Sequence, residues 1–449
     1  EGGFPSQVLE AQKAYVRLYD LRSPFWRGRN PAEHPAVVAQ LESSLRDLAR
    51  HYHAQAQKTK DDGDYAAAGD WYQRYLTNFN THARAQEMRF LYAELLYEHE
   101  QFVAAAEQYS QAAYAYTRNA RAAEAAYAAV LSLENHVKHV TDDQRLPWRR
   151  QVLAAARRLA SEFPQHPQAV PALTYSAQQA FELGDGEAAA DAAPQLLTLK
   201  PLGPEPRLTA LTIIGHTAFD REDFGGAEAA YRDALSLPIL TGDKRRRIAE
   251  RLAASLYKQG EQRREGGDRD GAVAAFLLAA QANPHSSAAE PGIAATAQFD
   301  AAAVLIELER WPEAIEALET FRQRFPKHPQ QPEVTRRLAA AYLAAGRTEA
   351  AAHAYLQVAD EAATPELRRA ALWQAAELYR QAGLSNAARA GFVRYVEEVP
   401  APLGQRVEAT QQLLELALET GDQRAARRWR QAIVDADAKA GPERTERTR

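Results

Sequence analysis

One skeleton recurs along nearly the whole chain, and it limits the fold more than any other feature. Around Gly267–Phe276 a Gly-containing turn is followed by a small residue, Ala272, a ring four positions on, Phe276, a small residue three further, Ala279, and then Pro284. The same pattern carries Ala68, Tyr72 and Tyr75; Ala105, Tyr109 and Ala112; Ala189, Ala193 and Leu196; and Ala227, Tyr231 and Ala234. It returns at Ala314, Leu318 and Phe321; at Ala351, Tyr355 and Val358; at Ala388, Phe392 and Tyr395; and at Ala425, Trp429 and Ala432. With the first small residue of each set as marker, the gaps are 37 from Ala68 to Ala105, 38 from Ala189 to Ala227, 45 to Ala272, 42 to Ala314, then 37 three times. The gap of 84 between Ala105 and Ala189 is two periods, the missing unit being the helical run from Trp148 to Phe163 that ends at Pro164.

A period of this size holds two antiparallel helices of three to four turns, each read from 3.6-residue apolar spacing and separated by a Gly or Asp turn. The marker alanine belongs where the helices cross closely, and the ring at +4 lies on the same helical face. A proline ends the second helix because it cannot donate to the backbone ladder. One hairpin cannot bury its own apolar faces, but stacked hairpins can. The expected fold is therefore all-α, an α-α superhelix of about ten helical hairpins with an extended concave wall.

These residues resemble the tetratricopeptide repeat family. Tyr342, Gly346, Ala351 and Tyr355 carry its pattern best, as do Tyr379, Ala388, Phe392 and Pro400, and the unit with Gly260, Ala272, Phe276, Ala279 and Pro284 fits with a lengthened turn. The first helices usually lack the family's Trp, and Asn80 stands where a Pro is expected. A narrower likeness, to repeat proteins of bacterial envelopes including the outer-membrane assembly lipoprotein type, rests on Phe163-Pro164-Gln165-His166-Pro167 and Phe325-Pro326-Lys327-His328-Pro329. The lipidated Cys of such lipoproteins has no counterpart. The resemblance divides the chain into an N-terminal helical cap (1–49), a solenoid (50–437) and a polar tail (438–449). In the cap, Phe4 to Leu21 reads as a helix and Ser23 to Pro35 as a connection. A start at Glu1 and a single methionine, Met88, fit either a removed signal peptide or trimmed ends.

Composition narrows the chemistry. The 449 residues include no cysteine, which removes thiolate nucleophiles, disulfides and thiolate metal sites. With 54 Lys+Arg against 59 Asp+Glu there is no global charge drawing the chain to nucleic acid, and the basic clusters Arg149-Arg150 with Arg157-Arg158, Lys244–Arg247 with Arg251, and Arg427, Arg428 and Arg430 read as solvated helix faces. No apolar run reaches the roughly 20 residues of a membrane span. Phosphate-loop, zincin, nucleophile-elbow and EF-hand motifs are absent. His136 and His139 sit at a spacing that can present two imidazoles, but without further ligands nearby they read as solvated, and no metal or cofactor is expected. The rings from Tyr65 to Tyr127 are read mostly as core.

What remains is the concave wall. Counting back from the markers to the family's groove positions gives His53, Glu87, Glu94, Thr209, Thr212, His216, Arg336, Trp373, Glu377 and Arg380, with Trp373 as the aromatic anchor for a protein or peptide partner. The Lys-x-x-x-Asn pair that relatives use on C-terminal carboxylates is missing. The resemblance thus implies a non-enzymatic scaffold or adaptor in the periplasm or cell envelope, serving assembly or secretion. The alternatives are the helical scaffold of a glycan-acting enzyme such as a lytic transglycosylase, and a cytoplasmic peptide-sensing regulator. Oligomeric state is left open.

Overall fold

A computed structural model describes residues 3–282 and 292–439, so Pro284 and the tail beyond 439 lie outside the described residues. The described residues contain helices and turns and no strand. The chain forms two compact units, Glu1–Asp220 and Arg221–Arg449, and their boundary falls inside the stretch that repeat spacing reads as one array. Spacing records the order of helices, whereas a compact unit reflects where their contacts are dense.

The first unit holds α1 (Gly3–Tyr19), α2 (Pro35–Thr59), α3 (Asp62–Asn78), α4 (Ala85–Glu98), α5 (Phe102–Tyr114), α6 (Ala120–Val137), α7 (Asp142–Glu162), α8 (Ala169–Glu182), α9 (Gly186–Thr198) and α10 (Pro204–Asp220). The second holds α11 (Phe224–Leu235), α12 (Gly242–Glu265), α13 (Arg269–Ala282), α14 (Gly292–Glu307), α15 (Trp311–Arg324), α16 (Gln331–Ala344), α17 (Thr348–Glu361), α18 (Pro365–Gln381), α19 (Ser385–Glu398), α20 (Leu403–Glu419) and α21 (Gln423–Lys439). Within each unit every helix packs on its neighbours in the sequence. Each unit is an all-α solenoid of helical hairpins, with even-numbered helices leading and odd-numbered ones returning within it, and α1 packs on α2 ahead of the first hairpin. Two expected boundaries move. The cap edge at 49/50 cuts the middle of α2, which is already the leading helix of the first hairpin, and the tail edge at 437/438 falls within α21.

The markers are core. Ala68, Ala105, Ala189, Ala227, Ala272, Ala314, Ala351 and Ala388 have no exposed surface. The missing unit is α6 with α7, where the fully buried Val152 stands 37 residues before Ala189 and takes the marker's place. In the last hairpin the buried residue is Ala426 rather than Ala425, which is only half-buried. A left-handed residue stands five positions before the marker in most hairpins, as at Gly346 (φ 70°) and Gly383 (φ 74°), because the helix-to-helix turn reverses the chain there. Glu100 (φ 56°) and Glu309 (φ 55°) adopt the same conformation despite the roughly 1–2 kcal/mol it costs a residue with a Cβ.

Three returning helices end on one device. His82, His166 and His328 each donate a backbone N–H to the carbonyl of the Phe three residues earlier, at 3.1, 2.9 and 3.0 Å. Each ring Nδ1 then accepts the backbone N–H two residues on, from Arg84, Gln168 and Gln330, at 3.3, 3.2 and 3.3 Å. The Phe-Pro-x-His-Pro sequences thus have a local reason, since Phe79 and His82 build the same turn without either proline.

Caps place the returning helices. Asp185 precedes α9, accepts from Ala188 N at 3.4 Å, and meets Arg150 of α7 at 2.5 Å. The Arg150 hydrogen bond, working against desolvation, holds the Asp185 carboxyl below its ordinary value. A depressed carboxyl stabilises the fold above the unfolded value of about 3.9, and the contribution fades as pH falls through the folded value. Asp185→Asn should lower stability at pH 7 and flatten its decline between about pH 4 and pH 2 in urea melts. An unchanged acid limb would remove Asp185 as its source.

Candidate functional site

The leading helices carry the expected binding residues, and burial separates those residues into two sets. Fifteen positions before the marker, His53 is buried, its Nδ1 2.9 Å from the Tyr72 hydroxyl. Phe90 meets Tyr109 with ring centroids 5.3 Å apart, Tyr257 meets Phe276 at 5.3 Å, and Trp373 meets Phe392 at 5.6 Å. In all four the partner lies nineteen residues on, at the +4 ring of the same hairpin. In these four hairpins the position pins the two helices together, whereas Arg336, at the same offset from Ala351, is exposed. His53 is a correction to the expected surface, because burial removes it from solvent and also pushes its imidazole pKa down, against the opposing pull of Glu98. Trp373 is half-buried between Phe392 and Tyr395, the latter at 5.4 Å, and works mainly as packing.

A second set of positions, eighteen, fourteen, eleven and seven before the marker, is exposed or half-buried across the leading helices, apart from the buried Ile213 of α10. These offsets are 3.6-residue spacing, so they form one stripe per helix. In the first unit Glu87 of α4 bonds Arg50 of α2 at 2.7 Å and lies 3.9 Å from Arg121 of α6. Gln57 of α2 donates to Glu98 of α4 at 2.7 Å, and Asn135 of α6 donates to the Tyr97 hydroxyl at 2.5 Å. Glu94 lies between these ties, half-buried and without a hydrogen bond among the described residues, its carboxyl pKa raised by burial first and Glu98 second. Farther along, Tyr175 of α8 is 50% exposed and Leu131 of α6 is 38% exposed.

In α10, Thr209 and Thr212 are half-buried, and His216 stacks on Phe181 of α8 with centroids 5.7 Å apart. In the second unit Arg336 is exposed and pairs with Glu333, Glu377 is half-buried, and Arg380 of α18 reaches Glu415 and Glu419 of α20 at 3.1 and 3.5 Å. The structure therefore brings Glu87 and Glu94 together in one unit and Trp373, Glu377 and Arg380 on one helix of the other. Arg50, Arg121, Glu98 and Tyr175 escape sequence reasoning. Arg50, Glu98 and Tyr175 carry the 18-, 7- and 14-residue offsets from Ala68, Ala105 and Ala189, but no single residue reveals which offsets remain open.

Among the described residues no three His, Asp or Glu side chains cluster for a metal ion. His136 instead packs against Trp148 at 4.2 Å, and His139 stacks on Phe102 at 5.7 Å. A cavity of about 420 Å³ between α7 and α9 is shallow, with Ser161, Gln195, Thr198 and Lys200 at its walls. No described helix is long and apolar enough to cross a membrane.

The fold and stripe define a helical-hairpin repeat protein. No protein-family model matches the chain, and no curated protein matches it. Among solved structures it is similar to one described as the crystal structure of the yeast Tom70, at 14% identity over 76% of this chain and 60% of that one, with a TM-score of 0.24. The chain therefore spans about three fifths of that protein's length. The fold assignment rests on the helices themselves.

Proposed function

We infer that the protein is a scaffold or adaptor that binds another protein along the open stripe of its leading helices. One observation carries this reading: α2, α4 and α6 are tied side by side through Arg50, Glu87 and Arg121, while Glu94 between them has no hydrogen bond or ion pair among the described residues. A row of polar groups held by rigid helices suits reversible recognition of a peptide or helix. An envelope setting joins the proposal only through the Phe-Pro-x-His-Pro turns, and the turn geometry accounts for those without it.

Photo-crosslinking in the source organism tests the reading. A benzophenone amino acid at Glu94, Gln178 or Glu377 should yield adducts of discrete mass, whereas the same group at the exposed returning-helix positions Glu107 and Glu397 should not. Equal labelling at both sets, or none at any position, would overturn it.

A further inference from the structure

We propose that the stripe of the first unit, from α4 to α8, takes a basic segment of a partner protein bearing an apolar side chain, which seats against Tyr175 and Leu131. This rests on the scaffold reading and adds the chemistry of the occupant. The apolar step is a built feature. Arg149 of α7 lies with its guanidinium 5.7 Å from the centre of the Tyr175 ring, and Glu134 of α6 fixes that guanidinium through a 2.5 Å contact. Leu131 stands one turn before Glu134 on the same helix. The Arg149 side chain is nine-tenths buried, yet its Nε–H has no acceptor, and neither does Glu134 Oε1 have a donor. Buried polar groups are nearly always paired. A main-chain amide of a docked segment, entering as the Tyr175 ring turns aside, supplies both a carbonyl for Nε–H and an N–H for Oε1.

Charge selects the rest of the occupant. Along this stretch Glu94, Glu98, Glu124 and Glu182 have no Lys or Arg partner among the described residues; of the cations there, Arg121 already faces Glu87, and Lys138 at the end of α6 donates to Asn135 Oδ1 at 2.7 Å. Glu182 accepts from the neutral amides of Gln178 and Gln179, and Glu98 accepts from Gln57 and lies 3.6 Å from the buried His53 imidazole. The stripe therefore presents unneutralised carboxylates on either side of the apolar step, which favours Lys or Arg in the partner and disfavours Asp or Glu.

Fluorescence anisotropy on the full chain tests this with three labelled peptides of equal length: a lysine-rich one with a central Trp, one with Glu for every Lys, and one with Ser for Trp. The first should bind, and the other two should bind at least about tenfold more weakly. Tyr175→Ala should weaken the first about tenfold. Glu94→Gln with Glu124→Gln should weaken it and reduce its sensitivity to salt, with the melting temperature of each variant unchanged. Equal binding of the Lys and Glu peptides, or unaltered affinity in the variants, would overturn the proposal. Stripe-specific crosslinks beside such a failure would leave the scaffold reading standing and the occupant's chemistry wrong.

Discussion

Alanine at Gly260 is expected to destabilise the second unit by about 3 kcal/mol, the upper end of the range for overpacking a buried contact. A Cβ there would lie 2.5 Å from Cε1 and 2.6 Å from Cδ1 of Phe276, a ring with no exposed surface and hence no free direction of retreat. Tyr257, one turn before Gly260 on α12, and Arg264, one turn after it, both lie beside the same ring, at 5.3 and 5.7 Å. Gly260 is thus the notch that receives Phe276. Alanine's better helix propensity, worth about 1 kcal/mol, offsets only part of the cost. Gly69 of α3 supplies the opposite case: a Cβ there meets nothing nearer than 3.8 Å, so Gly69→Ala should stabilise by roughly 0.5–1 kcal/mol. Thermal melts of both variants check the opposed signs. Pairing Gly260→Ala with Phe276→Leu should recover part of the loss, since Leu lacks the ring atoms in the way. Strict additivity of the two changes would show that the ring is not the obstacle.

Gly260 also shows what the sequence discloses. It was visible as part of a repeat, and the hairpins were legible because small residues at crossings and glycines at turns are chemically enforced. Where another residue meets the same demand, the signal fades. Val152 does so at the crossing of α6 and α7, which therefore show as a doubled gap, and Glu100 does so at the left-handed turn between α4 and α5. The Gly391 contact with Ala376, at 3.0 Å from a built Cβ, carries a crossing in α18 and α19 that the marker pattern does not reveal. The candidate site was less legible for a geometric reason. Positions fifteen and fourteen before the marker differ by 100° around a helix, enough to turn a side chain from the +4 ring to solvent. His53 and Trp373 fall on the first and Tyr175 on the second, yet Arg336, also on the first, is exposed, and only the packed structure tells them apart. Ties between helices, such as Arg50 with Glu87, depend on which helices become neighbours and leave no trace in local spacing.

Removing the Glu42 carboxylate should have an effect as large in the first unit. Glu42 of α2 is buried and accepts from Arg46 at 3.1 Å and from the Tyr75 hydroxyl of α3 at 2.9 Å. Arg84 and His82, in the turn leading to α4, lie 3.6 and 4.0 Å from it. One buried charge therefore gathers α2, α3 and the entry to the next hairpin. Burial and the hydrogen bond to Glu42 both push the Tyr75 hydroxyl pKa upward, so the phenol stays a donor throughout the working range. Glu42→Ala should cost about 3–5 kcal/mol, because it leaves Arg46 charged and largely desolvated and leaves the Tyr75 hydroxyl only the longer contact to His82 Nδ1 at 3.4 Å. Arg84→Ala, at an exposed position, should cost no more than about 1 kcal/mol, and Tyr75→Phe about 1 kcal/mol for one hydrogen bond. The informative variant replaces the network together: Glu42→Leu, Arg46→Leu and Tyr75→Phe in one chain should recover most of the loss, since apolar side chains of similar volume often equal a buried ion pair. A triple variant as unstable as Glu42→Ala would mean that the charges themselves, through Arg84 and His82, hold the second hairpin in place.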